Sequence, residues 1–149
     1  MSMAHQRRVI REAFVALLAG GATAAGARVF DHPYDARTTF PALTVQDVTE
    51  QQQAIAMLAG PSRPIERMLV LEVGAEVQQT TGYARQRDDL LADVERIAAS
   101  AAIAGVKAIT PAGYAPAQAV NSADKPICVG RQRFEILYFT TQGDPATTT

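Results

Sequence analysis

Ile65-Glu66-Arg67-Met68-Leu69-Val70-Leu71-Glu72-Val73-Gly74-Ala75-Glu76-Val77-Gln78 is the stretch that decides the fold. Leu69, Leu71, Val73, Ala75 and Val77 occupy alternate positions, and Met68, Val70, Glu72, Gly74 and Glu76 lie between them. Alternation with period two marks a strand, because successive side chains point to opposite faces of a sheet. The all-apolar set belongs to a core; the mixed set forms the other face.

Working outward, Thr80–Gly82 reads as a turn in which Thr81 can cap the helix that follows. That helix spans about Tyr83 to Ala101, with Leu90, Leu91, Val94, Ile97, Ala98 and Ala101 in one stripe. Arg85 and Asp89 sit at the spacing of a surface ion pair. Upstream, Glu50 to Pro64 reads as a long loop containing Gln51, Gln52 and Gln53. Loops of that length in compact domains are functional or disordered. Before it, Pro41 opens a strand over Ala42–Thr49, as proline does where its missing donor lies outside the ladder. Arg28–Asp31 reads as a short strand, and Gln6–Ala19 as an amphipathic helix stopped by Gly20-Gly21.

Downstream, Val106–Thr110 reads as a short strand and Pro111–Lys125 as irregular, given Pro111, Gly113 and Pro116. Ile127–Thr141 is the last strand, with Phe134, Ile136 and Tyr138 on its apolar face. Residues 142–149 are expected to be a mobile polar tail, leaving a folded core over 5–141 of a single domain, 1–149. The order is α-β-β-β-α-β-β. It predicts an α+β fold: a mostly antiparallel sheet of four to five strands with two helices packed on one face.

Composition fits that size. A chain of 149 residues buries roughly 68–70 % of its unfolded surface and needs no staple. Apolar residues are 48 % and charged residues 19 %, ordinary for a globular domain. The net charge of −1 argues against a protein that coats nucleic acid. It is compatible with a pore through which DNA slides. The single cysteine, Cys128, rules out an internal disulfide. No apolar run is long enough to span a bilayer, and no signal-peptide core follows the basic start, so synthesis in a cytoplasm is expected.

The search for chemistry returns little. Gly20, Gly21 and Gly26 lack the Lys-Ser or Lys-Thr of a phosphate-binding loop. Two histidines and one cysteine fall short of a structural zinc set. Asp31, His32 and Asp35 read as strand-end and turn residues. Asp88, Asp89 and Asp93 read as a solvated helix face beside Arg85, Arg87 and Arg96. Cys128 reads as a packed thiol. Arg7, Arg8 and Arg11 form a basic cluster that favours a solvated face, with DNA phosphate or an acidic partner as the alternative. No enzyme, cofactor or metal is expected.

The mixed face of the sheet is more informative. Met68 and Val70 share it with Glu72 and Glu76, while Leu137 and Phe139 share it with Arg133 and Glu135. Each strand is apolar at one end of this face and charged at the other. Two readings stay open. The Glu50–Pro64 loop folds over the apolar end, or that end is a subunit interface. They merge if the loop, with Gln51, Gln52 and Gln53, crosses to a neighbour.

The sequence of parts resembles a known family. The helix Val9-Ile10-Arg11-Glu12-Ala13 leads to Arg28-Val29-Phe30-Asp31. Then come Thr39-Phe40-Pro41-Ala42-Leu43-Thr44-Val45 and the strand Met68-Leu69-Val70-Leu71-Glu72-Val73. Gly113-Tyr114 and Arg133-Phe134-Glu135-Ile136-Leu137-Tyr138 close the series. Over about Val9 to Thr141 this looks like the tail terminator proteins of lambda-like phages and prophages, which are related to tail-completion and neck proteins. The resemblance implies a homo-oligomeric ring, commonly a hexamer, on the tip of the tail tube. It implies three contacts: other copies, the major tail tube protein and the head–tail connector protein. DNA would pass through unread, and the location would be the virion tail, assembled in a bacterial cytoplasm with no membrane partner. On that view Glu72 and Glu76 are candidate lumen-facing residues, and acidic walls would repel phosphate. The alternatives are a head-closure (neck) protein and a small host binding module.

Overall fold

A computed structural model describes residues 4–31, 39–55, 63–78, 81–122 and 125–148. Its elements are α1 (Gln6–Gly20), β1 (Val29–Phe30), β2 (Ala42–Ala54), β3 (Pro64–Gln78), α2 (Tyr83–Ser100), β4 (Val106–Ser122), β5 (Lys125–Thr141) and β6 (Asp144–Thr148). The α+β class is as expected, but among the described residues the sheet has six strands, in the order β1-β2-β3-β5-β4 with β6 also on β5. It is mixed rather than wholly antiparallel, because β1 runs parallel to β2.

The inner face carries the core. Leu43 and Val45 of β2, Leu69, Leu71, Val73, Ala75 and Val77 of β3, and Phe134, Ile136 and Tyr138 of β5 are all fully buried. Onto them α1 sets Ile10, Phe14 and Leu18, and α2 sets Leu90, Leu91, Val94 and Ala98. The Phe14 and Phe134 rings meet at 5.6 Å between centroids, a tilted aromatic contact. Close approach of α2 depends on Gly130. A Cβ there would stand 2.5 Å from Arg87 Cδ and 3.2 Å from Leu91 Cδ1.

Four boundaries differ from the sequence expectation. The strand β2 runs through Gln51–Gln53, which pair with Met68, Arg67 and Glu66 in turn. Those glutamines therefore belong to the sheet and not to the expected 50–64 loop, of which residues 56–62 lie outside the described residues. The β4 strand extends to Ser122 across Pro111, Gly113 and Pro116, accommodated by register shifts at an edge. Beyond the expected end of the fold, Gly143 turns the chain and Asp144–Thr148 returns to β5, with Thr148 opposite Thr140. The N-cap of α2 is Gly82 at φ +72°, with no side-chain cap bond, so Thr81 does not fill that role.

Candidate functional site

Strand register converts the mixed face into rows. One row crosses four strands as Gln51, Met68, Leu137 and Ala108. Beside it lie Thr49, Val70, Glu135 and Thr110, and on the other side Gln53, Glu66 and Phe139. The next rows are Gln46, Glu72, Arg133, Gly113 and then Thr44, Gly74, Arg131, Ala115. The structure thus brings Met68, Val70, Leu137 and Phe139 into one apolar field, with Gln51 and Gln53 on its β2 border. Gln52 points the other way: its Nε2 donates to Glu50 Oε2 at 2.8 Å on the inner face.

None of these four apolar side chains packs against the core cluster. Each is half-buried. Among the described residues both helices lie on the opposite side. Glu66 and Glu135 stand within the field, and no described residue pairs with either carboxylate.

The charged end differs from expectation in its electrostatics. Glu72 does lie on the outer face, but it is only 5 % exposed. Its Oε2 accepts from Arg133 Nε at 3.0 Å and its Oε1 from Gln46 Nε2 at 3.1 Å. Arg131 Nε approaches Oε1 at 3.7 Å. Glu76 is half-buried and has a partner of its own. The expectation that Glu72 and Glu76 present open negative charge fails for Glu72, whose carboxylate is the counter-ion of two arginines.

Sequence reasoning missed a second buried carboxylate, on the inner face. Glu50 receives the Tyr138 hydroxyl on Oε1 and Arg67 Nη1 on Oε2 at 3.2 Å, with Arg7 Nη2 at 3.8 Å. Arg67 Nε also donates to Thr140 Oγ1 at 2.7 Å. Burial alone would raise the Glu50 pKa. Hydrogen bonds from Tyr138 and Gln52, and the charges of Arg7 and Arg67, outweigh it and hold the carboxyl below its ordinary range. Tyr138 is pushed well above the usual phenol range, by burial first and then by the Glu50 carboxylate. His5 caps α1: its Nδ1 accepts from Arg7 N at 3.0 Å, which requires that nitrogen to be unprotonated. Burial and the charges of Arg7 and Arg67 lower its pKa accordingly. A signal for this cluster existed. Arg67 and Tyr138 share the parity of the core set, and a charge at a core position needs a counter-charge.

Most of the other singled-out residues have partners within the fold. Arg8 pairs with Glu12 at 2.8 Å and Arg11 with Asp47 at 2.9 Å, so with Arg7 turned to Glu50 the basic cluster is divided among three carboxylates. On α2 the pairs are Arg87–Asp88 and Arg96–Asp93, not Arg85–Asp89. Cys128 is buried, with Arg87 Nη1 donating to its sulfur at 3.4 Å. His32 and Asp35 lie outside the described residues. Among those described, no three His, Cys, Asp or Glu side chains are grouped to hold a metal ion, and no helix is long and apolar enough to cross a membrane.

No protein-family model matches this chain, and no curated protein matches it significantly.

Proposed function

We propose that this protein is a tail terminator: a subunit that closes into a ring, commonly of six, on the end of a phage or prophage tail tube. The ring stops tube growth and presents the surface that joins the head-side connector. It works by binding and not by turnover, and DNA passes through it without being read.

The observation that carries this reading is the field of Met68, Val70, Leu137 and Phe139, which among the described residues no helix covers, on a sheet whose two described helices pack on the other side. An apolar field with a polar border is what a subunit contact requires. Each residue truncated from such a field costs little in the monomer but removes burial from the assembly. The element order, helix, three strands, helix and two long strands, supports the family resemblance, with β6 as an addition.

The test is mass by light scattering across a size-exclusion peak over a wide concentration range. A closed oligomer near six subunits is expected. A monomer at every concentration that purified tail tubes also fail to capture would overturn the reading.

A further inference from the structure

At the Pro64 end of β3 the inner face opens into a groove of about 380 Å³, lined by Gln52, Arg63, Ile65, Arg67 and Gln142 among others. No carboxylate is among its described lining residues. A groove of similar size beside α2, about 370 Å³, has the opposite character: Asp88 and Glu95 line it with Tyr114, and no described arginine does.

Both guanidiniums of the cationic groove are anchored through Nε and open beyond it. Arg63 Nε donates to Gln142 Oε1 at 2.7 Å, and Gln142 N returns a bond to Arg63 O at 2.9 Å. Arg67 Nε donates to Thr140 Oγ1 at 2.7 Å and its Nη1 to Glu50 Oε2 at 3.2 Å. Among the described residues, nothing accepts from Arg67 Nη2 or from either Nη of Arg63. The two anchors, Thr140 and Gln142, are two residues apart, which on an extended chain is about 7 Å. That is the span of one oxyanion with a charge-assisted bond of roughly 2.8 Å on either side. The Arg67 side chain is only 10 % exposed, so its charge cannot turn away into water.

The local charge balance favours the same ligand. Arg7, Arg63 and Arg67 gather around the single carboxylate of Glu50, three positive charges to one negative. The other acids of this end are placed elsewhere. Asp47 is paired with Arg11, Asp144 accepts from Ala146 N, and Glu66 has the parity of the opposite face. The lowered pKa of His5 reports the same excess: after burial, Arg7 and Arg67 act on it more strongly than Glu50 and Asp47. A poorly solvated charge needs a partner of opposite sign.

We infer that this groove binds a phosphate-type oxyanion, gripped between the guanidiniums of Arg63 and Arg67. The assignment stands apart from the ring reading and does not depend on it.

The test is a titration of inorganic phosphate into the 15N-labelled full chain. It is run slightly above neutral pH, where phosphate is mainly a dianion, with ionic strength held constant by chloride. Saturable shifts of the Arg63 and Arg67 Nε–H signals are expected, with a Kd of about 1 mM or tighter. The amides of Glu95 and Tyr114, beside the acidic groove, are expected to stay still. Arg63→Gln is expected to weaken binding about tenfold, through loss of the fork and its charge. Gln142→Glu, at an exposed position, is expected to do the same by setting a carboxylate beside Arg63, and it serves should Arg63→Gln fail to fold. Acetate, with one charge, is expected to bind more weakly, and acetate binding as tightly as phosphate would overturn the phosphate assignment. A drift that chloride alone reproduces, or saturation that both variants leave unchanged, would overturn the site.

Discussion

Glu50 and Glu72 are buried alike and held differently. Their side chains are 3 % and 6 % exposed, on opposite faces of one sheet, and each faces two arginines. The counter-ions differ. Arg67 beside Glu50 is 10 % exposed, and Tyr138, its other partner, is wholly buried. Arg131 and Arg133 beside Glu72 are both 51 % exposed. Removing Glu50 strands a guanidinium and a hydroxyl inside the protein, whereas removing Glu72 releases two arginines into water. The weight of a buried carboxylate is therefore set by how far its partners can escape to solvent.

The largest expected effect follows from that difference. Glu50→Ala should cost about 3 kcal/mol in urea unfolding, since the Arg67 charge is left uncompensated. A loss no greater than that of Glu72→Ala would erase the distinction. Tyr138→Phe keeps the ring packing but takes one donor from Glu50, and about 1–2 kcal/mol is expected by the same measurement. Glu72→Gln should cost under about 1 kcal/mol, shrinking further as salt is added, because its arginines remain hydrated. A large, salt-independent loss would mean that the outer cluster is as closed as the inner one.

The smallest effect concerns pH. His5 is depressed below 6.5 in the fold, so the unfolded chain takes up its proton first and stability declines as pH falls through that value. Glu50 is depressed below 4.5, so its contribution is complete above that pH and is lost on further acidification. Asparagine keeps a capping acceptor without titrating. His5→Asn should therefore flatten the fall in Tm between pH 6.5 and 4.5 and leave the steeper fall below it. An unchanged profile would show that His5 is not the group titrating there.

The readable parts of the fold were those where pattern and burial coincide. The β3 alternation, the α1 and α2 stripes and the β5 apolar set each announce a core face, because a residue buried on one side cannot be polar without cost. The glutamines at 51–53 could not be read this way. They are held in β2 by pairing with β3, a non-local contact that glutamine's weak strand preference does not advertise. Pro111, Gly113 and Pro116 hid β4 for a related reason, since those residues deny a central strand but are tolerated at an edge. At the candidate site, Met68, Val70, Leu137 and Phe139 were legible from parity alone. The state of Glu72 was not, because parity gives a face and not the neighbours across it. Arg131 and Arg133 reach Glu72 only through the β3–β5 register.

The edge strand β4 has a bearing on misassembly. An open strand edge is a template on which unfolded or partly folded chains can add, and a sheet of this size has two such edges. Pro111 and Pro116 carry no amide hydrogen, and the shifts near Val106, Pro111 and Ala117 interrupt the repeat that an incoming strand must match. A nascent neighbour would find no uninterrupted ladder there. On the opposite side, among the described residues, β1 pairs with Leu43 and Thr44 of β2, and β2 has one register shift, between Asp47 and Thr49. Of the two described edges, β2 therefore carries fewer such interruptions than β4.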